Sequence, residues 1–216
     1  MTVHLARGYS NQFVVRTKHP LAIRYSDRSV LENHHLAAAF DVMFNHEECN
    51  VLENLHLDQF HEVRKTVIAM VLNTELSRHF TLLTELKTKL GNNFPTEAAE
   101  DRTLLLSVAL RAADQFKVVR STTVFFKWMD AMFEEFFKQG DMEKVLDLPI
   151  SKFMDRENTN KEKVFANYLS VVCRPVLTTF LILINDEEVH TAVVREGIDK
   201  NKKNLEHRIE GDGGGK

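Results

Sequence analysis

Only two cysteines, Cys49 and Cys173, occur in 216 residues, which rules out a disulfide framework and suits a reducing, intracellular compartment. Glycine never gathers into a phosphate-cradling loop. A G-x-S-x-G elbow and a C-x-x-C pair are lacking as well, so P-loop, dinucleotide-binding and α/β-hydrolase chemistry find no support. Positive charge is not in excess: 28 Lys+Arg against 31 Asp+Glu leave a net charge of −3, with no field to draw nucleic acid or an anionic membrane. The start, "MTVHLARGYSNQF", carries no apolar signal core. The greasiest run, "VVCRPVLTTFLILIN", is broken by Arg174 and Pro175 and is too short to span a bilayer. These absences predict a cytoplasmic chain with no membrane span and no nucleic-acid partner.

What is present is apolar mass at helical spacing. Apolar residues make up 44% of the chain and include 15 Phe, enough for a real core. Beyond the first 28 residues the spacing is helical nearly everywhere and no stretch alternates with period two, so the expected class is all-α, a compact multi-helix bundle. Val63, Val67, Val71, Leu72, Leu76 and Phe80 step along one predicted face, which Leu82, Leu83, Leu86 and Leu90 extend up to "GNNFP". Thr96 is the predicted N-cap of the next helix, whose first acids suit its dipole. "TLLLSVALRAA", 103–113, is apolar almost all round and is read as a central helix ending at Asp114. The aromatic stripe from Phe125 to Phe137 is read as core, with Leu104, Leu105, Val108, Trp128, Met132 and Phe136 expected to be buried together. Two further helices are expected over 161–184, bent at Pro175, and 187–207. The expected organisation is one helical domain over 1–207 and a disordered tail over 208–216, "RIEGDGGGK".

The potential ligand clusters are poorly spaced for metal. Neighbouring His34 and His35 in "ENHH" point about 100° apart on a helix. His56 and His61 are five apart, where a shared helical face needs four, and His46-Glu47-Glu48-Cys49 reads as a solvated face. Asp114 stands out, because a carboxylate closing the most apolar helix must meet a cation, a donor network or water.

Taken in order, "RYSDRSVLENHHLAAAF", "FHEVRKTVIAMVLNTELSRHFTLLTELK", "LLLSVALRAADQ" and "FFKWMDAMFEEFFKQGD" resemble the catalytic domain of class I cyclic-nucleotide phosphodiesterases, and "HLARGYSNQFVV" resembles the segment after that family's metal-binding His-Asp pair. The similarity runs from about residue 4 to residue 184. It implies an all-helical fold and hydrolysis of cAMP or cGMP by two divalent cations, Zn or Mg, which polarise the phosphate and generate hydroxide. By resemblance Asp114 falls on a metal-ligating aspartate, and His4, Glu32 and Thr74 fall near the metals or their waters. Phe165 stands where the family has a purine-reading glutamine and Tyr168 where it has a ring-stacking phenylalanine. Lys117 replaces an asparagine and Arg111 a histidine.

The family's H-N-x-x-H-A motif, H-D dipeptide and leaving-group acid are expected upstream of the first residue here. That leaves Asp114 as a remnant of the first coordination shell, and any divalent metal weakly held or absent. The expectation is a phosphodiesterase-like protein that no longer hydrolyses and serves as a binding or structural subunit. A protein partner, or a second copy, would cover the face left open by the N-terminal helices. The alternative is an active phosphodiesterase whose metal-binding part lies outside this sequence.

Overall fold

The computed structural model of the chain describes residues 8–90, 94–95 and 97–213, so the expectations placed on His4 and Thr96 lie outside the described residues. Among the described residues every regular element is helical and there is no strand, as the spacing predicts. The chain divides into two compact units, Met1–Arg111 and Ala112–Lys216.

In the first unit, α1 (Asn11–Arg16) and α2 (Pro20–Arg24) are single short turns nucleated by side-chain caps. The Ser10 oxygen accepts from Phe13 N–H, and His19 Nδ1 accepts from Leu21 N–H. Phe13, Val14, Ala22 and Val30 close a small core there. The loop before α3 (Val30–Asn45) holds Ser26, Asp27 and Ser29 at positive φ, sites that L-residues rarely occupy without outside support. Ser29 has such support: its hydroxyl donates to Glu75 at 2.5 Å.

The apolar face read from 63 to 80 is not continuous. α4 (Leu57–Leu72) stops at Asn73, Leu76–Arg78 form a 3₁₀ turn, and α5 (His79–Leu90) restarts in a new register. Leu76 and Phe80 are consequently exposed, whereas Leu82, Leu83 and Leu86 are buried. Glu75, extended at φ −58° and ψ 131°, is the residue that breaks the helix.

α6 (Ala99–Gln115) opens with Glu100 and Asp101 in its first turn, as its dipole favours. Asp101 is buried and pairs with Lys89 of α5. Leu104 and Val108 are buried as expected, but Leu105 is only half-buried and Leu106 is exposed, so this helix is not enclosed on all sides. At the end of this unit His79 is fully buried, and its imidazole nitrogens find no hydrogen-bond partner. Arg111, only 4% exposed, donates to the Thr74 carbonyl.

In the second unit α7 (Thr122–Val145) buries Phe125, Phe126, Met129, Phe133 and Phe137. The aromatic stripe is core, but its centre is rotated from the expected one: Trp128 is 53% exposed, and Met132 and Phe136 are half-buried. Positions i, i+4, i+8 and i+12 from Phe125 form the inner row, and Trp128 lies three residues from it on the flank.

The "FFKQGD" end of α7 is explained by the loop that crosses it. Glu143 is buried and accepts from Ser151 N–H at 2.6 Å, the Ser151 hydroxyl at 2.7 Å and the Gln139 amide at 2.9 Å. Gly140 leaves room for the same loop, since a Cβ there would stand 1.8 Å from the Met154 carbonyl oxygen.

α8 (Lys161–Tyr168), a π-helical turn over Leu169–Cys173 and α9 (Arg174–Ile184) form one helix. The expected disturbance at Pro175 takes the form of that π turn, because proline offers no N–H and crowds the carbonyl four residues before it. The united helix Lys161–Ile184 is long and apolar enough to cross a membrane by length and composition, which the shorter run within it was not expected to be. Leu169, Val172, Cys173, Val176, Leu177 and Leu181 are nevertheless buried in protein, as in a core helix.

α10 (Glu187–Thr191), a π-helical stretch over Ala192–Asp199 and α11 (Lys200–Gly213) make the last helix, and Gly197 lets it close on Val119. Helix continues through 208–213, where the sequence reading places a disordered tail. Leu205 is fully buried and the Arg208 guanidinium lies 3.4 Å from the Phe126 ring centroid, so the helix gains contacts past residue 207. Residues 214–216 lie outside the described residues.

Two outcomes follow from these contacts. Gly140→Ala should lower unfolding free energy by about 3 kcal/mol in urea titrations, since a backbone carbonyl would have to move. Burial, followed by the nearby Arg111, pushes the His79 pKa down to about 4 from 6.5. The unfolded chain therefore binds the proton more readily, and stability should fall as pH drops from 6.5 to 4, by up to about 3 kcal/mol. His79→Leu should flatten that slope in urea titrations at pH 7 and pH 4.5.

Candidate nucleotide-binding cleft

Glu32 sits in the first turn of α3, where its carboxylate complements the helix dipole and accepts from Asn11 Nδ2 at 2.8 Å. Asn11 Oδ1 accepts from Leu31 N–H at 2.8 Å, and Asn33 donates to the Arg28 and Ser29 carbonyls. Half of ENHH thus fastens a helix start. Burial, then His35, Arg24 and His19, lower the His34 pKa. Thr74 Oγ1 donates to the Val71 carbonyl at 2.7 Å, as a helix-end residue does. Glu32 and Thr74 belong to the first unit and Asp114 to the second.

Asp114 ends α6 in the open, and its Oδ2 accepts from Gln115 Nε2 at 2.8 Å. Gln115 is buried, and its Oε1 accepts from the Tyr168 hydroxyl at 2.6 Å and from the Cys173 thiol at 3.3 Å. Asp114 is thereby oriented through an amide that the π turn of the α8–α9 helix holds in place. Gln115 and Cys173 were not read from the sequence as site residues. The one available signal was an amide ending an otherwise apolar helix, a group that must find partners when buried.

Phe165 is 2% exposed. Its ring meets Phe125 at 5.3 Å and Phe133 at 6.4 Å between centroids, and stacks on Tyr168 at 5.8 Å and 25°. It therefore serves the core. Phenylalanine in this place offers no hydrogen bond to a base.

A cleft of about 370 Å³ opens beside Asp114, lined by Ala113, Asp114, Phe116, Lys117, Arg120 and Trp128. Lys117 and Arg120 have no ion-pair partner among the described residues. The described residues do not fit a divalent metal. No group of three His, Cys, Asp or Glu comes together among them, and the charged neighbours of Asp114 in this cleft are two cations.

The sequence matches the family described as 3'5'-cyclic nucleotide phosphodiesterase over residues 5–194. The chain belongs to that family. It is 30% identical over 204 residues to the 3',5'-cyclic-nucleotide phosphodiesterase regA of Dictyostelium discoideum, covering 94% of this chain and 25% of that protein. To the high affinity cGMP-specific 3',5'-cyclic phosphodiesterase 9A of Homo sapiens it is 35% identical over 172 residues, 80% of this chain and 29% of the relative. The chain thus spans between a quarter and a third of these curated relatives. The solved phosphodiesterase domain of the RhoPDE fusion protein from the choanoflagellate Salpingoeca rosetta superposes with a TM-score of 0.85 at 27% identity, covering 95% of this chain and 64% of that one.

Gln115→Leu would remove the contacts to Asp114, Tyr168 and Cys173 together. It should cost about 1–3 kcal/mol of stability, read by thermal denaturation. Tyr168→Phe, which leaves the Cys173 contact, should cost about 1 kcal/mol.

Proposed function

We propose that this phosphodiesterase-like chain binds its ligand or partner without hydrolysing cyclic nucleotides. The observation that carries the reading is the company of Asp114: Lys117, Arg120 and Trp128 line the same cleft as the carboxylate that a metal would need. Two-metal catalysis depends on cations seated among anionic and imidazole ligands, and lysine and arginine oppose that seating electrostatically. Phe165, turned into the core, also leaves no amide at that position to read a purine. The chain is read as a cytoplasmic binding or structural subunit in cyclic-nucleotide signalling, partnered by another protein or by its own copy. The large apolar side chains it exposes, Ile23, Val51 and Leu57 in the first unit and Val145 and Ile182 in the second, support such association.

The purified 216-residue chain should not hydrolyse cAMP or cGMP above background in Mg²⁺ or Mn²⁺. Metal-dependent turnover that disappears on Asp114→Ala would overturn the reading and favour an active phosphodiesterase.

A further inference from the structure

We infer that the cleft beside Asp114 binds a nucleoside 5′-monophosphate without metal, the phosphate held by Lys117 and Arg120 and the base stacked on Trp128. This rests on the reading of a non-hydrolysing binding chain and names the ligand of that same cleft.

Charge is the first argument. Lys117 and Arg120 line one cleft of about 370 Å³, a volume in the range of small-molecule sites, where two cations face the single carboxylate of Asp114 and neither is held in an ion pair among the described residues, so positive charge remains in excess. A phosphate monoester carries close to two negative charges at neutral pH, and its terminal oxygens suit both an ammonium and a guanidinium fork. A cyclic phosphodiester carries one negative charge and has fewer free oxygens, so the pair of cations favours the monoester.

The second argument is Trp128. Its indole is 53% exposed on a helix whose neighbouring aromatics are buried, and it lines this cleft. Tryptophan beside paired cations suits a ligand with a flat ring at one end and phosphate at the other, since every base offers a face for stacking.

Third, the segment that bears the cations is held rigidly. Val118, between them in sequence, is fully buried, and Val119 packs on Gly197. Asn201, also buried, donates to the carbonyls of Val118 at 3.0 Å and Arg120 at 2.9 Å and accepts from the Thr122 hydroxyl at 3.2 Å. Asp114 is steadied by Gln115 on Oδ2, which leaves Oδ1 to accept from a ribose hydroxyl or a base amine. Cations and carboxylate presented on fixed backbone lose little freedom when a ligand arrives.

Trp128 is the chain's single tryptophan, so its fluorescence reports on this cleft directly. In buffer with EDTA, AMP or GMP should quench it saturably. Ribose 5-phosphate should compete, and cAMP, cGMP and adenosine should bind at least about tenfold more weakly for want of a dianion. Lys117→Gln and Arg120→Gln, both at solvent-accessible positions, should each weaken AMP binding by about tenfold while circular dichroism stays unchanged. Affinity should fall as salt rises. The inference is overturned if neither AMP nor GMP gives saturable quenching at millimolar concentration in EDTA. Cyclic nucleotides binding as tightly as the monophosphates, or both glutamine variants retaining full affinity, would overturn it too. Turnover of cAMP or cGMP in Mg²⁺ refutes the non-hydrolysing reading and is scored apart from binding in EDTA, so the two failures are distinguishable.

Discussion

The packing of the Phe165 ring among Phe125, Phe133 and Tyr168 is the contact on which the second unit depends. Two of these rings, Phe125 and Phe133, stand on α7 and two, Phe165 and Tyr168, on the α8–α9 helix just before its π turn, so their interlock sets the register of one helix against the other. Tyr168 then presents its hydroxyl to Gln115, and Gln115 presents its amide to Asp114. A carboxylate in the open is thus oriented by an aromatic cluster in the core. Buried aromatics have large area and few rotamers, which makes them effective at transmitting position.

Around that core, backbone carbonyls and buried polar side chains decide where connecting segments lie. Glu143 collects the donors of Ser151 and of Gln139, and Gly140 admits the Met154 carbonyl. Asn201 does the same service for the segment that follows α6, the 3₁₀ turn Phe116–Val119 with Lys117 and the extended Arg120 after it. Each of these groups is buried, and a buried polar group without a partner is costly, so the loops have little choice of position. In the first unit the analogous tie is Arg111 to the Thr74 carbonyl, made next to an imidazole that burial keeps neutral.

The relation to cyclic-nucleotide phosphodiesterases has a specific physical meaning here. A scaffold superposing on a solved phosphodiesterase domain with a TM-score of 0.85 persists at 27% identity because its helices are defined by apolar spacing, which tolerates exchange of similar side chains. A site for highly charged ligands tolerates far less, because one lysine or arginine changes the field felt by any ion nearby. Lys117, which by resemblance stands where the family has an asparagine, is a change of that second kind, and it lines the cleft beside Asp114.

Helix content and the aromatic core stripe were determined by the sequence, because 3.6-residue periodicity is a local property that every turn repeats, whereas the all-round apolar helix buries one face only and leaves Leu106 exposed. The family was legible as well, since several separated motifs occur in order. Which flank of the stripe faced inward was not local: Trp128 emerged exposed and Phe125 buried because the partner helix, through Phe165, selects the face. The contact that holds the helix past residue 207 is also not local, as Arg208 finds Phe126 more than 80 residues away in sequence. Likewise Gln115, Tyr168 and Cys173 are joined across more than 50 residues. Hydrogen bonds between groups so far apart leave no periodic trace in the chain, so only the tertiary structure could decide them.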